Sequence, residues 1–127
     1  MQYSVFLCTA YFPLYMNLAI MTDDPLERFK LVMTALVSIN YQSDEGGMFW
    51  HKPLNPIIGE TFAGFYRDGT TCFAEQISHH PTIPYFLVYG PDNAYTFHGY
   101  SNYKVKVGLN SAKVSNSGKK VVTFKNG

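Results

Sequence analysis

Four turn-forming clusters divide the second half of this chain: Arg67-Asp-Gly69, Gly90-Pro-Asp-Asn93, Asn110-Ser111 and Asn116-Ser-Gly118. The segments between them are short and rich in Phe, Tyr, Val and Thr, residues that suit a pleated, half-buried surface, so strands are expected from about Thr61 onward. Tyr103, Val105 and Val107 alternate with Lys104 and Lys106, the period-two pattern of a strand with one wet face. Connections this short join antiparallel neighbours and leave no room for crossover helices, so the expected sheet is an antiparallel meander.

A helix is expected ahead of the strands. Asp24 stands at a cap position, Pro25 suits the first helical residue, and Glu27 completes a capping-box pattern. Leu26, Phe29, Val32, Met33, Leu36 and Val37 then recur at helical spacing, which predicts a helix from about Pro25 to Tyr41 with one apolar stripe facing a core. The stripe holds no ionisable side chain, so its role is structural. Gln42 to Gly47 reads as a polar, glycine-rich connection. Val5 to Met21 is apolar, but it lacks a basic leader and contains Pro13 and Asn17, so it reads as a buried or truncated element rather than a signal peptide or membrane span. The fold class is therefore mainly β in an α+β arrangement, an amphipathic helix followed by the meander. With no repeat or linker, residues 1–127 read as one domain.

Ten Lys and Arg against nine Asp and Glu leave a formal net charge of +1, too little to neutralise a row of phosphates, so nucleic acid is not an expected partner. Lys104, Lys106, Lys113, Lys119, Lys120 and Lys125 form a local basic bias near the end, read as an ordinary solvated face. Cys8 and Cys72 have neither metal-finger nor disulfide-framework spacing, so reduced thiols are expected. Aromatics at 17% could serve strands, an apolar cavity or an interface, and composition leaves all three open.

Two short stretches carry the chemistry. In the first, Pro53 and Pro56 hold Lys52-Pro-Leu-Asn-Pro56 extended, so that Lys52 and Asn55 can sit on a rigid rim. In the second, His79 and His80 precede Pro81, which disfavours helix at His80. Neighbouring residues of a regular strand point to opposite faces, so a shared ligand requires a strand end or a bulge at the pair. Histidines satisfied within the structure are the default reading, and His51 and His98 give no metal-ligand spacing. If the two stretches met, a lysine and two imidazoles would suit a phosphate. The residues alone do not show that they meet.

Lys52-Pro-Leu-Asn-Pro-Ile-Ile-Gly-Glu60, followed by Glu75-Gln-Ile-Ser-His-His-Pro81, resembles the paired motifs of the oxysterol-binding-protein and related-protein family. The capped Pro25-Leu-Glu-Arg-Phe29 segment and the strands after Pro84 are similar to the same family. That resemblance implies part of a large, incomplete antiparallel barrel around an apolar tunnel, flanked by helices and closed by an N-terminal lid. It implies a carrier with no catalytic residue, metal or cofactor. Members bind sterol or phosphatidylserine, and many exchange it for phosphatidylinositol 4-phosphate. They work in the cytoplasm, peripherally, at organelle membranes and membrane contact sites. By the same resemblance Lys52 contacts the inositol-phosphate head and His79 with His80 bind its phosphate. Asn55 serves a phospholipid head or backbone, Leu54 packs beside it, and Glu60, Glu75 and Gln76 have architectural roles. Because imidazole titrates near neutrality, head-group binding is expected to weaken as pH rises.

Thr82 departs from the family pattern, which has a second proline there, so some rigidity after the histidines is expected to be lost. The family domain is also much longer, and its lid and the later basic residues of the phosphate site have no counterpart here. The expectation is a fragment that leaves apolar surface and a strand edge uncovered. Such a chain could act as a phosphoinositide sensor or contact module without transfer. Two further readings are weaker: a hydrolase using Ser78 with His79, which lacks a nucleophile elbow, and a stacking platform of Trp50, Tyr66 and Tyr85 for carbohydrate or peptide.

Overall fold

A computed structural model of the chain describes residues 11–45 and 56–126. Two helices, α1 (Phe12–Ile20) and α2 (Pro25–Glu45), precede seven strands. These are β1 (Thr61–Phe65), β2 (Thr71–Ser78), β3 (Ile83–Tyr89), β4 (Tyr95–Tyr100), β5 (Asn102–Val107), β6 (Ala112–Ser117) and β7 (Lys120–Phe124). Five strands form one antiparallel sheet in the order β1-β2-β3-β4-β7, while β5 and β6 form a separate hairpin. The meander expected from the turn clusters is thus present with one detour. After β4 the chain leaves as the hairpin and returns as β7 to pair with β4, Gly99 facing Lys120. A Cβ on Gly99 would stand 2.2 Å from the Lys119 carbonyl oxygen, so only glycine lets the returning strand come this close.

The α2 helix begins where its cap places it. The Leu26 N–H donates to Asp24 Oδ1 at 2.9 Å. Glu27, expected to close a capping box, instead pairs with Lys30 three residues on. The helix continues through Gln42–Glu45, four residues beyond the expected end, because nothing before Gly46 stops it. The expected stripe is corrected too. Ala35 is fully buried and Val32, Leu36 and Ile39 pack against the core, whereas Leu26, Phe29, Met33 and Val37 are exposed, Phe29 by 60%. The apolar residues fall on two faces of the helix, and the described residues cover one.

Helix α1 is the buried element expected within Val5 to Met21, with Phe12, Met16 and Ala19 inside. Phe12 lies 4.8 Å from Phe97 and 6.4 Å from Tyr95, between ring centroids, and Phe86 stacks on Phe97 at 4.9 Å. A polar knot fixes α1 to the β1–β2 turn: Asp68 accepts from Asn17 Nδ2 at 2.7 Å, and from the Thr70 N–H and hydroxyl at 3.0 Å each. Thr70 is fully buried and its hydroxyl lies 3.4 Å from the Tyr95 hydroxyl, whose pKa burial pushes up to about 12. Arg28 closes the α1–α2 corner. Its Nε and Nη2 donate to the Thr22 carbonyl at 3.1 and 2.8 Å while its guanidinium lies over the Phe124 ring.

Candidate functional site

The β1–β2 ladder brings the ends of the two motifs together. Thr61 faces Glu75, and beyond that pair the Gln76 N–H donates to the Glu60 carbonyl at 3.0 Å and the Gly59 N–H to the Gln76 carbonyl at 2.8 Å. The first motif therefore ends on the backbone of the second, a contact the residues alone did not show. Its last four residues form a turn in which the Glu60 N–H donates to the Ile57 carbonyl. Gly59 takes φ +78°, a conformation that favours glycine, and the Glu60 carboxylate accepts from the Ile57 N–H at 3.1 Å. Lys52, Leu54 and Asn55 lie outside the described residues.

On the other side of the ladder the strand is deformed just before the histidines. Gln76 pairs with Pro84 and Ser78 with Ile83, so one extra residue, Ile77, bulges from β2. Pro84 needs no ladder donor at this position. The bulge is bridged from within: Gln76 is fully buried and its Nε2 donates to the Ser78 carbonyl at 2.6 Å. Its Oε1 is buried without a hydrogen-bond partner among the described residues. The strand then ends, and His79 and His80 fall in the turn before β3. Bulge and strand end together meet the geometric condition for a shared ligand, since the rings stand edge to face with centroids 4.6 Å apart.

His79 is half-buried and His80 exposed. The His79 Nδ1 is buried and has no hydrogen-bond partner among the described residues. The same observation gives a Ser78–His79 nucleophile pair no support. Thr82 alters the turn rather than loosening it. Its hydroxyl donates to the His79 carbonyl at 3.1 Å, a bond that proline could not make. The proposed stacking platform is not assembled, because Tyr66 lies at the β1–β2 turn and Tyr85 at the opposite end of the strands. Trp50 lies outside the described residues. No group of three metal-ligating side chains occurs among the described residues.

Sequence reasoning missed the Gln76 bridge and the Thr82 hydroxyl. A glutamine two residues before the end of a strand, on its buried face, was the available signal for the first; nothing local marked the second.

Searches of known structures find this arrangement of helices and sheet within lipid-binding domains. The structure superimposes on the Osh1 ORD domain solved with ergosterol and with cholesterol, TM-score 0.82 for each at 27% identity. The superpositions cover 95% and 96% of this chain and 28% of the other. The Osh3 ORD of Saccharomyces cerevisiae, solved with PI(4)P, shares the fold at TM-score 0.80 and 20% identity over 96% of this chain and 32% of that one. The fold is thus a portion of an antiparallel lipid-binding barrel with its flanking helices. A family model described as oxysterol-binding protein matches residues 5–127, and the chain belongs to that family. Oxysterol-binding protein 9 of Dictyostelium discoideum is 40% identical over 91 residues, 72% of this chain and 20% of its own length. Oxysterol-binding protein-related protein 5 of Mus musculus is 36% identical over 109 residues, 82% of this chain and 12% of its own length. This chain therefore spans a fifth or less of these relatives.

Proposed function

We propose that residues 1–127 form part of one lipid-binding domain that takes part in intracellular lipid transfer, with sterol or phosphatidylserine as cargo and phosphatidylinositol 4-phosphate as counter-ligand. The observation that carries this reading is the bulged turn that sets His79 beside His80, with a buried ring nitrogen unpartnered among the described residues, on a ladder shared with the first motif. Imidazole donors at this spacing suit the oxygens of one phosphate. In this reading Lys52 adds a cation, Asn55 a polar contact and Leu54 packing, and the five residues form a head-group half-site. The chain acts by binding, in the cytoplasm and peripherally at organelle membranes or contact sites, with lipid ligands as its partners. No helix among the described residues is long and apolar enough to cross a membrane.

A second reading, a phosphoinositide-binding module without carriage, draws on the outward aromatic face of the sheet, where Phe65 is 71% exposed. Liposome transfer measured beside binding of a soluble, short-chain phosphatidylinositol 4-phosphate separates the two. Binding with transfer supports the carrier, binding without transfer supports the module, and no binding overturns both.

A further inference from the structure

The β5–β6 hairpin concentrates charge in a way the whole chain does not. Residues 102–120 contain five lysines and no Asp or Glu, against a chain-wide net charge of +1. The register then sorts three of them. Lys106 lies directly opposite Lys113, and Lys104, two residues before Lys106, shares their face opposite Ser115. Like charges placed across a strand pair are destabilising, and nothing acidic on the hairpin offsets them. All three are exposed.

The tip is apolar as well. Val107 is 81% exposed and Leu109, in the turn closed by the Gly108 N–H donating to the Ser111 carbonyl, is fully exposed. The expectation that Val107 would turn to a buried face is therefore wrong. The hairpin pairs only with itself, and at this end Lys106 and Val107, on opposite faces of β5, are both exposed. The hairpin's base, in contrast, is pinned. The Tyr100 N–H donates to the Lys119 carbonyl at 3.1 Å, the Ser101 N–H to the Pro84 carbonyl at 3.1 Å, and Asn116 Nδ2 to the Ser101 hydroxyl at 3.5 Å. Gly118 has φ +151°, and a Cβ there would stand 2.1 Å from the Tyr100 carbonyl oxygen. A fixed base holds a bare leucine in front of a lysine face.

We propose that this hairpin docks on the anionic surface of a membrane, with Leu109 and Val107 entering the interfacial layer while Lys104, Lys106 and Lys113 face acidic head groups. Charge complementarity selects an anionic partner, and the apolar tip selects a lipid surface over a nucleic acid, which rewards no solvent-facing leucine. The inference rests on the proposal that the chain works at membranes and names the segment that would make the contact.

The test measures co-sedimentation of the full chain with phosphatidylcholine vesicles, with and without phosphatidylserine. The account predicts that phosphatidylserine strengthens binding, that salt weakens it, and that Lys106→Ala with Lys113→Ala lowers it by about fivefold per lysine. Leu109→Ser lowers it roughly tenfold. These side chains are exposed and the paired lysines repel, so the melting temperature should not fall; a folded Phe65→Ser variant that keeps full binding excludes general stickiness. Binding to neutral and anionic vesicles alike overturns the proposal. So does a loss on lysine removal with none on Leu109→Ser, which would mark a simple polyanion site for a nucleic acid or acidic protein. A soluble short-chain phosphatidylinositol 4-phosphate, titrated in parallel, keeps the failures apart. If it binds but vesicles do not, the hairpin inference falls and the head-group reading stands; if vesicles bind and it does not, the reverse holds.

Discussion

The two faces of the five-stranded sheet are built from the same kinds of residue and have opposite fates. Towards the helices, Val88, Tyr95 and Phe97 are buried and locked by Phe12 and Met16. On the other face Phe65, Phe73, Tyr85 and Tyr100 are exposed. Register, not composition, divides them. Phe97 faces Val88 and Val122, while Phe73 faces Ala63 and Leu87 on the face that neither described helix covers. An aromatic strand residue is therefore core only where a second layer arrives.

Substitutions should separate the two faces by size of effect. Phe97→Ala removes a ring from the helix-facing core and should cost about 3–5 kcal/mol in denaturant unfolding. Phe65→Ser on the open face should change stability by no more than about 0.5 kcal/mol. An intermediate cost, about 1–3 kcal/mol, is expected for Asp68→Ala, which takes the acceptor from the Thr70 N–H, leaves its hydroxyl only Tyr95, and frees Asn17 from the turn. Gln76→Leu should cost about 1 kcal/mol and weaken head-group binding while sparing the core, because it unbridges the bulge behind His79.

A separate effect is alkaline. Burial raises Cys72 from 9.0 to about 11 and Tyr95 from 10.0 to about 12. Both groups hold their protons more tightly when folded, so their contribution is present below pH 9.0 and is lost as pH climbs through the folded values. Unfolding followed from neutral pH to about pH 11 should show falling stability, and Tyr95→Phe should flatten the upper part of that fall. Cys72 should also alkylate slowly at neutral pH in the folded protein, the thiolate being the reactive form.

Much of this was legible beforehand, for reasons that can be named. The start of α2 was readable because Asp24 and Pro25 act locally, and the strands were readable because turn residues interrupt them. What escaped was decided at a distance. Whether Phe29 or Ala35 meets the core depends on where α1 and the sheet lie, and the return of β7 beside β4 depends on the bare backbone at Gly99. In the candidate site, the proline after His80 announced that the chain is not helical there, and the structure makes it a turn. The bulge at Ile77 and the bond from Thr82 to the His79 carbonyl needed the strand register. The meeting of the two motifs needed it as well, since it rests on backbone bonds between Gly59, Glu60 and Gln76 that carry no side-chain signature.

The central claim is that the turn after the bulge presents His79 and His80 together to one phosphate. Calorimetric titration of a soluble short-chain phosphatidylinositol 4-phosphate into wild type and the folded His79→Ala/His80→Ala variant tests it most directly. The account predicts binding by the wild type and a loss of at least about tenfold in the variant, as expected for removing charge-assisted hydrogen bonds. Equal affinity in the two proteins would contradict it.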